Sequence, residues 1–308
     1  MTLPSFHDIR AAADRLHDRI VRTPLTRSAW LSDLTGADVW LKLENRQIEG
    51  SFKIRGAFNA LLRSPVAGAV TASAGNHGRA LACAAKELNM PVTVFVPRTA
   101  PRAKLDPIRA HGATLVLCET YDEAESDAIA HARDRDVPYI SPYNNPEVIA
   151  GAGTVGLEIF EDLPDVDLLV VPVGGGGLVS GIALAAAGHG NTEAIGVEAA
   201  ASPVFTTALA HGHLVTVKVG PTLADGLAGN AEPGSITFDL VRDLGVPIAA
   251  VGEDQIERAM RALAANEGET AEGAGAVGVA FVADRGGLQG KRVTIIVSGG
   301  NVDPDRLR

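Results

Sequence analysis

A single lysine with the right neighbours for covalent chemistry lies in the segment Gly50-Ser51-Phe52-Lys53. A lysine beside an aromatic residue in a loop is usually solvated. If Lys53 is instead buried near a phosphate-bearing cofactor, its pKa falls and its amine can form a Schiff base with a carbonyl carbon. The residue types by themselves leave both interpretations open.

Four consecutive glycines, Gly174–Gly177, offer a place for such a phosphate. They follow the apolar run at 167–173 and open a helical pattern. Glycines at a strand-to-helix turn let several backbone N–H groups point at one anion, and the helix N-terminus adds about half a positive charge. No Gly-Lys-Ser/Thr sequence follows, so the pattern favours a phosphate monoester over a nucleoside triphosphate. A plain tight turn is the alternative, but four glycines cost considerable chain entropy.

A second turn of the same design spans residues 73–78, with the sequence SAGNHG. It follows an apolar run and begins a helical pattern. Its side chains and loop amides could bind a carboxylate, because the first N–H groups of a helix have no partner within the helix. Ordinary helix capping by Ser73 or Asn76 is the alternative interpretation.

Other chemistry-like patterns are assigned to structure. GxGxxG occurs at 151–156 and 273–278, but neither match has the strand before it and the acidic residue after it that a dinucleotide site needs. Close helix packing is expected there. His211 and His213 have no third ligand in view and are expected at the surface. Cys83 and Cys118 are expected in the core.

The elements that must position these residues alternate along the chain. Apolar runs predict strands, and helical patterns lie between them at 77–89, 121–135 and 253–268. This alternation indicates an α/β fold with mainly parallel sheets. We expect a small domain at 70–145, inserted into a larger domain formed by 1–69 and 146–308. The predicted strands are 39–44, 69–73, 91–97, 113–118, 167–173, 194–199 and 292–298.

Composition excludes several classes of partner. The 308 residues carry a formal net charge of −10 and no basic run, which argues against nucleic acid or an anionic membrane as the main partner. No apolar run approaches the roughly 18 residues of a membrane span, and the N-terminus does not resemble a signal peptide. Two cysteines without a CxxC pair fit a reducing compartment, so a cytoplasmic protein is expected.

Taken together and in order, five segments resemble the fold-type II pyridoxal 5′-phosphate (PLP) enzymes, in the branch of serine/threonine dehydratases and serine racemases. Each segment alone is weak, but five in this order are highly specific. The resemblance implies two three-layer α/β domains with mainly parallel twisted sheets, PLP as cofactor, and a homodimer. The segments are GSFKIRGA (50–57), SAGNHG (73–78), VPVGGGGL (171–178), LADG (223–226) and VSGGN (297–301).

The resemblance also implies a role for each matched residue. Lys53 is expected to form the Schiff base with PLP and then to act as the base on the substrate α-proton. Phe52 is expected to flank the pyridine ring, Ser298 to contact its nitrogen, and Asn76 to hydrogen-bond its phenolic oxygen. Backbone amides are expected to bind the phosphate at Gly174, Gly175, Gly176, Gly177 and Leu178. The substrate carboxylate is expected to be bound by Ser73, Ala74, Asn76 and His77.

The implied activity is dehydration and deamination of a β-hydroxy amino acid, by default L-threonine or L-serine, to a 2-oxo acid and ammonia. Alternative substrates in the branch are 3-hydroxyaspartate, phenylserine-like and hydroxyectoine-derived compounds. Racemases of the branch carry a second serine where this chain has Ala74, so efficient racemisation is not expected. A non-catalytic PLP carrier would not need the carboxylate-binding loop. Threonine dehydratases that feed isoleucine synthesis carry a regulatory domain after the SGGN motif, and this sequence leaves no room for one after residue 301. Feedback inhibition by isoleucine is therefore not expected.

Departures from the family pattern raise further expectations. The family has a divalent-cation site, Mg²⁺ for example, which the resemblance places at Glu198 and the carbonyl of Ser202. Val204 stands where many members carry an acidic ligand, which weakens this expectation because hard cations need several oxygens. Glu49 replaces the usual threonine and either tunes the substrate pocket or faces solvent. Three more residues are expected to support the site: Glu272, Arg55 and Asp225.

Overall fold

The computed structural model of the chain describes residues 2–66 and 68–302. Their strands form one sheet of six and one sheet of three. The strands are β1 (Leu25–Arg27), β2 (Asp38–Leu43), β3 (Ala69–Ala72), β4 (Val92–Pro97), β5 (Thr114–Cys118), β6 (Leu168–Pro172), β7 (Glu193–Ala199), β8 (Ile248–Val251) and β9 (Arg292–Val297). The α-helices are α1 (Phe6–Leu16), α2 (Ala29–Thr35), α3 (Lys53–Arg63), α4 (Asn76–Glu87), α5 (Arg102–Ala110), α6 (Tyr121–Asp134), α7 (Pro146–Asp162), α8 (Gly177–His189), α9 (Val204–His211), α10 (Ile236–Asp243), α11 (Glu253–Ala262) and α12 (Gly273–Ala283).

The larger sheet has the spatial order β1-β2-β9-β6-β7-β8, and only the β1–β2 pair is antiparallel. Helices cover both of its faces: α2, α11 and α12 on one side, and α1 and α7–α10 on the other. In β6, Val170 packs against the first layer, while Leu169 and Val171 pack against the second. Burial on both faces explains why this strand is a continuous apolar run.

The smaller sheet has the order β3-β4-β5 and is entirely parallel. Helices α3, α4 and α5 cover one face and α6 covers the other. Val94 and Phe95 of β4 point to opposite layers, which repeats the three-layer arrangement on a smaller scale. Apart from Ala69, the smaller sheet lies within the predicted small domain at 70–145, and the larger sheet lies outside it. That these two parts are separate domains stays a prediction.

The α/β class and the mainly parallel sheets are confirmed. Each of the seven predicted strands is present within one residue at either end. Strands β1 and β8 were not predicted, because three and four residues are too short for a clear periodicity. Their burial patterns contain one fully buried residue between them, Val251, so the apolar signal is weak as well.

The glycines of the two GxGxxG matches serve close packing, as predicted. A Cβ on Gly151 of α7 would lie 2.6 Å from the carbonyl oxygen of Arg55 in α3. A Cβ on Gly273 of α12 would lie 2.2 Å from the carbonyl oxygen of Leu223. Both positions exclude any larger residue because the backbones touch there.

The two cysteines and the two paired histidines lie where the sequence predicts them. Cys83 and Cys118 are both buried and unbridged, as predicted. His211 and His213 are exposed, and each ring bonds a nearby backbone carbonyl. In the described part of the chain, no helix combines the length and the apolar character needed to cross a bilayer.

Candidate active site

The predicted site residues follow the carboxyl ends of parallel strands. Ser73 follows β3, Gly174 lies two residues after β6, and Ser298 follows β9 directly. In open α/β sheets, the crevice beyond these strand ends is where ligands bind, since loops and helix N-termini converge there. The topology therefore brings together segments that are more than 200 residues apart in sequence.

Lys53 is the first residue of α3, and its amine makes one hydrogen bond to the described residues. Its Nζ donates a hydrogen bond to the carbonyl oxygen of Pro142, at 2.8 Å, and lies 5.1 Å from the centroid of the Phe52 ring. Burial lowers the pKa of Lys53 to about 8, and the charge of Glu272 offsets this only in part. A larger share of the amine is therefore neutral near pH 7 than for a solvated lysine, as a nucleophile and base requires.

The start of α3 is tied to the end of β9. The N–H of Phe52 donates to the carbonyl oxygen of Ser298, at 3.1 Å. Ser298 is buried, and its hydroxyl donates a long bond of 3.4 Å to the carbonyl oxygen of Ala274. Lys53 and the hydroxyl expected at the pyridine nitrogen are therefore held by one backbone junction.

The four-glycine loop leaves no room for side chains. A Cβ on Gly175 would lie 2.2 Å from the ring of Tyr143, and one on Gly176 would lie 2.5 Å from Phe205. Gly176 also has φ of +86°, a left-handed conformation that glycine adopts without strain. The hydroxyl of Thr237 donates to the carbonyl oxygen of Gly175, at 2.7 Å. Because α8 begins directly afterwards, the loop is a rigid backbone cradle at a helix N-terminus.

The 73–78 turn leads into a second helix N-terminus, whose first turn packs closely against the backbone of Ser73. Helix α4 begins at Asn76, and a Cβ on Gly78 would lie only 2.0 Å from the carbonyl oxygen of Ser73. The Ser73 hydroxyl accepts a bond from the N–H of Gly75, at 3.3 Å. This is a local turn contact, and it leaves the hydroxyl proton of Ser73 available to a ligand. Ala74 carries no acid–base group.

The imidazole of His77 does not share the polar role expected from its motif. Its Nε2 makes a bond of 3.1 Å to the carbonyl oxygen of Ile140, and the ring is buried. Burial and then the nearby charge of Lys53 lower the pKa of His77 to about 3, so the ring is neutral. The ring is therefore not the group of His77 that meets a carboxylate, and the predicted role of His77 passes to its backbone N–H at the start of α4.

Asn76 joins the site to a buried carboxyl group. Its Nδ2 donates to Oε1 of Glu272, at 2.6 Å, while its Oδ1 accepts from Nδ2 of Asn301, at 2.8 Å. Burial raises the pKa of Glu272 to about 7, even though the bond from Asn76 acts in the opposite direction. The second N–H of Asn76 remains available for an oxygen of a ligand.

The residues present fit PLP. The glycine cradle suits a phosphate, the desolvated lysine suits an aldehyde, and Ser298 suits a ring nitrogen. Two buried side-chain atoms near Lys53 have no hydrogen-bond partner among the described residues, namely Oγ of Ser51 and Nδ1 of His77. Buried polar atoms of this kind are rare unless a ligand or water satisfies them.

The residues expected to bind a divalent cation do not fit one. Both carboxylate oxygens of Glu198 accept backbone N–H bonds of 3.0 Å, from Phe205 and Thr206. The carbonyl of Ser202 accepts the N–H of Val204, also at 3.0 Å. Burial raises the pKa of Glu198. This carboxylate therefore anchors the start of α9, and the cation role rests on the resemblance alone.

Sequence reasoning missed a segment that contacts both Lys53 and the glycine cradle. Residues 139–148 carry none of the motifs from which the sequence analysis built the site. In the structure, Pro142 supplies the carbonyl that binds Lys53, and Tyr143 packs on the glycine cradle. A backbone carbonyl leaves no mark in a sequence, so no motif could have revealed it.

Two further expectations are revised by the contacts. Arg55 lies outside the site, in a buried ion cluster with Glu44 and Glu158. Glu49 does not face solvent, since its side chain is only 14% exposed and pairs with Arg79 and His111. Asp225 pairs with Lys104 of α5 at 2.5 Å, a contact that joins the two halves of the fold beside the site.

Comparison with known proteins agrees with this architecture. The family model for pyridoxal-phosphate dependent enzymes matches residues 16–299, so the chain belongs to that family. The expected family, fold type and cofactor are confirmed.

Individual relatives narrow the branch. An L-threonine ammonia-lyase from Thermotoga maritima is 42% identical over 98% of this chain and 77% of its own length. The L-threonine dehydratase catabolic TdcB of Escherichia coli K12 is 38% identical over 97% of this chain and 94% of its own. Among solved structures, maize serine racemase has a TM-score of 0.93 at 32% identity and covers 99% of this chain and 96% of its own. Lyases and racemases thus share this fold, and the choice between them depends on site residues.

Proposed function

We propose that the protein is a PLP-dependent ammonia-lyase that converts L-threonine or L-serine into a 2-oxo acid and ammonia. The observation that carries the proposal is Lys53, a lysine with a lowered pKa whose amine contacts a single carbonyl beside the glycine cradle. The similarity to L-threonine ammonia-lyases over nearly the whole chain supports the same reaction.

Different residues bind the anionic groups, contact the ring nitrogen and transfer the proton. When bound, PLP supplies an electron sink for negative charge at the substrate α-carbon. The amides of Gly174–Gly177 and Leu178 bind its phosphate, and the first turn of α4 binds the substrate carboxylate. The Ser298 hydroxyl contacts the ring nitrogen without forcing a positive charge on it, as a carboxylate would. The neutral Nζ of Lys53 accepts the α-proton, and burial keeps competing water away from it.

Ala74 favours elimination over racemisation. A racemase needs an acid–base group on each face of the α-carbon, and in racemases of this branch the second group is a serine at this position. Here the position carries only a methyl group. The α-proton therefore leaves and returns on the Lys53 face alone, and in the elimination the α-proton and the β-hydroxyl are lost together as one molecule of water.

The charges around the 141–144 segment favour a neutral substrate side chain. Glu232 is held there by the Ser141 hydroxyl and by Asn144, whose Nδ2 bond is 2.8 Å long. Burial and then the charge of Glu232 raise the pKa of Glu125, a second carboxyl group near the same segment. A second carboxylate on the substrate is repelled, so 3-hydroxyaspartate is expected to be a poor substrate.

A panel of β-hydroxy amino acids, scored by release of 2-oxo acid, tests the proposal. L-threonine and L-serine are expected to react, and 3-hydroxyaspartate is expected to react at least about tenfold more slowly, the factor for about 1.4 kcal/mol. Chiral analysis of unreacted serine separates the two activities. Formation of D-serine at a rate comparable to pyruvate would contradict the elimination proposal.

We also propose a homodimer and a cytoplasmic location, both on the strength of the family resemblance. Two buried, unbridged cysteines are compatible with a reducing compartment. Light scattering of the holoenzyme is expected to give twice the chain mass of 31.8 kDa. A monomeric mass would refute the dimer without affecting the proposed reaction.

A further inference from the structure

Three side chains with metal-ligating atoms meet beside the segment that leads to Lys53. Glu49 lies four residues before Lys53, Cys83 lies on α4, and His111 follows the end of α5. One ligand atom of each lies within 4.8 Å of the other two. Oε1 of Glu49 and Nε2 of His111 are 3.1 Å apart. We call these three residues the outer cluster.

The outer cluster is largely buried but remains open to solvent. The side chains of Glu49 and His111 are 14% and 18% exposed, and Cys83 is 8% exposed. Charged side chains at random surface positions are far more exposed than this. The cluster therefore has both a defined geometry and a path by which a small ion can enter.

The donor set matches one class of ion. Thiolate, imidazole and carboxylate are the three ligand types that bind Zn²⁺, usually at about 2.0–2.3 Å. Tetrahedral coordination at such lengths places ligand atoms about 3.3–3.6 Å apart, within the spacing of the cluster. A thiol is a poor ligand for Ca²⁺ or Mg²⁺, which take oxygen ligands.

The groups around the outer cluster can orient its side chains as metal ligands. Arg79 donates Nε to Oε2 of Glu49, which leaves Oε1 directed at His111. Hydrogen-bonded carboxylates are the rule in metal sites, because outer partners orient the ligands. Nδ1 of His111 is buried and has no partner among the described residues, so it can carry the ring proton when Nε2 binds an ion.

We propose that Glu49, Cys83 and His111 bind one divalent transition-metal ion of the zinc class, with water as the fourth ligand. No redox change is involved. The thiol of Cys83 loses its proton to solvent and forms the metal–sulfur bond, His111 moves its proton from Nε2 to Nδ1, and Glu49 binds through Oε1. One proton is therefore released for each ion bound.

In the absence of an ion, the thiol is not primed for other chemistry. Burial and then the charge of Glu49 raise the pKa of Cys83 to about 11. The thiolate that oxidation or alkylation needs is therefore scarce at neutral pH. This separates a metal-binding role from that of a redox-sensing cysteine.

Hydrogen bonds connect the outer cluster to the active site. Arg79 donates through a terminal nitrogen to Oδ1 of Asn301, at 3.0 Å, and Asn301 donates to Oδ1 of Asn76, at 2.8 Å. Asn301 also donates to the backbone carbonyl of Glu49, at 2.7 Å. An ion in the cluster fixes α4 and the end of α5 to the loop that precedes Lys53.

Cobalt and zinc binding to the holoenzyme test the proposal. The exposed pair of His211 and His213 is a competing surface site, so all proteins carry His211→Gln and His213→Gln. After dialysis against a chelator, Co²⁺ is titrated and its absorption is followed in the red, where the cofactor does not absorb. We expect one Co²⁺ per chain with the intense spectrum of a tetrahedral site, displaced by Zn²⁺, and a higher melting temperature with Zn²⁺.

Single variants assign the ligands. Cys83→Ser and His111→Gln are each expected to weaken binding by more than about 100-fold, beyond the 10- to 100-fold typical of an outer partner. Cys118→Ser, which alters a buried cysteine outside the cluster, is expected to leave binding unchanged. If Cys83→Ser does not fold, as judged by circular dichroism, Cys83→Ala replaces it. Undiminished binding by the His111→Gln and Cys83 variants, or a weak octahedral spectrum in the parent protein, would overturn the proposal.

Discussion

Two cationic side chains on α3, only two residues apart, have opposite surroundings. Arg55 is fully buried and bonds both oxygens of Glu44 and both oxygens of Glu158, at 2.6–2.9 Å. Lys53 contacts one carbonyl and has no carboxylate partner among the described residues. Its pKa is lowered to about 8, whereas the pKa of Arg55 is raised by its acidic neighbours despite burial.

The difference separates a charge that stabilises the fold, on Arg55, from an amine proposed to take part in the reaction, on Lys53. The Arg55 cluster satisfies its charges with side chains of opposite sign, which locks α3 against β2 and α7. The Lys53 site leaves its amine without a counter-ion and offers backbone amides to incoming anions. A protein that paired Lys53 as completely as Arg55 would hold a permanently charged amine with no reactivity.

The largest expected effect is the loss of activity when Lys53 is replaced. Lys53→Ala is expected to lower kcat/KM for L-threonine by more than about 10³-fold, because the base and the covalent attachment are both lost. Thermal unfolding of the variant is expected at or above the temperature of the wild-type apoenzyme, since a desolvated ammonium is removed. The control is Lys291→Ala, at an exposed position. A Lys53→Ala enzyme with more than a tenth of wild-type activity would end the proposed mechanism.

Removing the charge of Arg55 is expected to act on stability instead. Arg55→Met leaves the carboxylates of Glu44 and Glu158 buried near each other, and Lys42 is then the one cation paired with them among the described residues. Breaking such a cluster costs about 3–5 kcal/mol of unfolding free energy. Denaturant titration measures the loss. Arg63→Met, on the exposed side of the same helix, is the control and is expected to change stability by less than about 1 kcal/mol. A loss in Arg55→Met as small as that expected for Arg63→Met would show that the Arg55 cluster contributes little.

A smaller effect is expected in the amide cradle that replaces side-chain counter-ions at the site. Gly175→Ala forces a methyl group into the ring of Tyr143. Loss of one charge-assisted hydrogen bond to the phosphate costs about 1.5–3 kcal/mol, or about 10- to 150-fold in PLP affinity. Fluorescence titration of apoenzyme with PLP measures it. Gly286→Ala, where the added methyl meets open space, is the control. Unchanged affinity in Gly175→Ala would remove the cradle from the account.

The last expected effect is a pH dependence of stability that has opposite signs in the two regions. The pKa of Glu272 is raised to about 7 in the fold, so its ionisation lowers stability as pH rises from about 4.5 to 7. Glu272→Gln is expected to lack this loss, and its stability relative to wild type should therefore increase over that range. The pKa of Glu158 is lowered by Arg55, so Glu158→Gln is expected to be least stable relative to wild type above pH 4.5 and to recover below it. Parallel pH profiles for the two variants would contradict the comparison.

Sequence reasoning was strongest where one residue type or one periodicity carries the signal. Continuous apolar runs located seven strands, and glycine-rich segments at strand ends located the N-termini of α8 and α4, whose binding of phosphate and carboxylate stays a prediction. Strands β1 and β8 were missed because they are short edge elements. The carbonyl of Pro142, the orientation of His77 and the partners of Glu49 were missed because they depend on long-range packing, which no local pattern records. Arg55 was misplaced for the same reason, since its partners lie 11 and 103 residues away.

The most direct test of the central claim is to find which lysine holds the cofactor. Borohydride reduction of the holoenzyme makes a lysine–cofactor linkage permanent, and peptide mapping by mass spectrometry then locates it. The contrast between Lys53 and Arg55 predicts one pyridoxyl group per chain, on Lys53, with the other lysines unmodified. A pyridoxyl group on Lys42 or another lysine, with Lys53 unmodified, would contradict it.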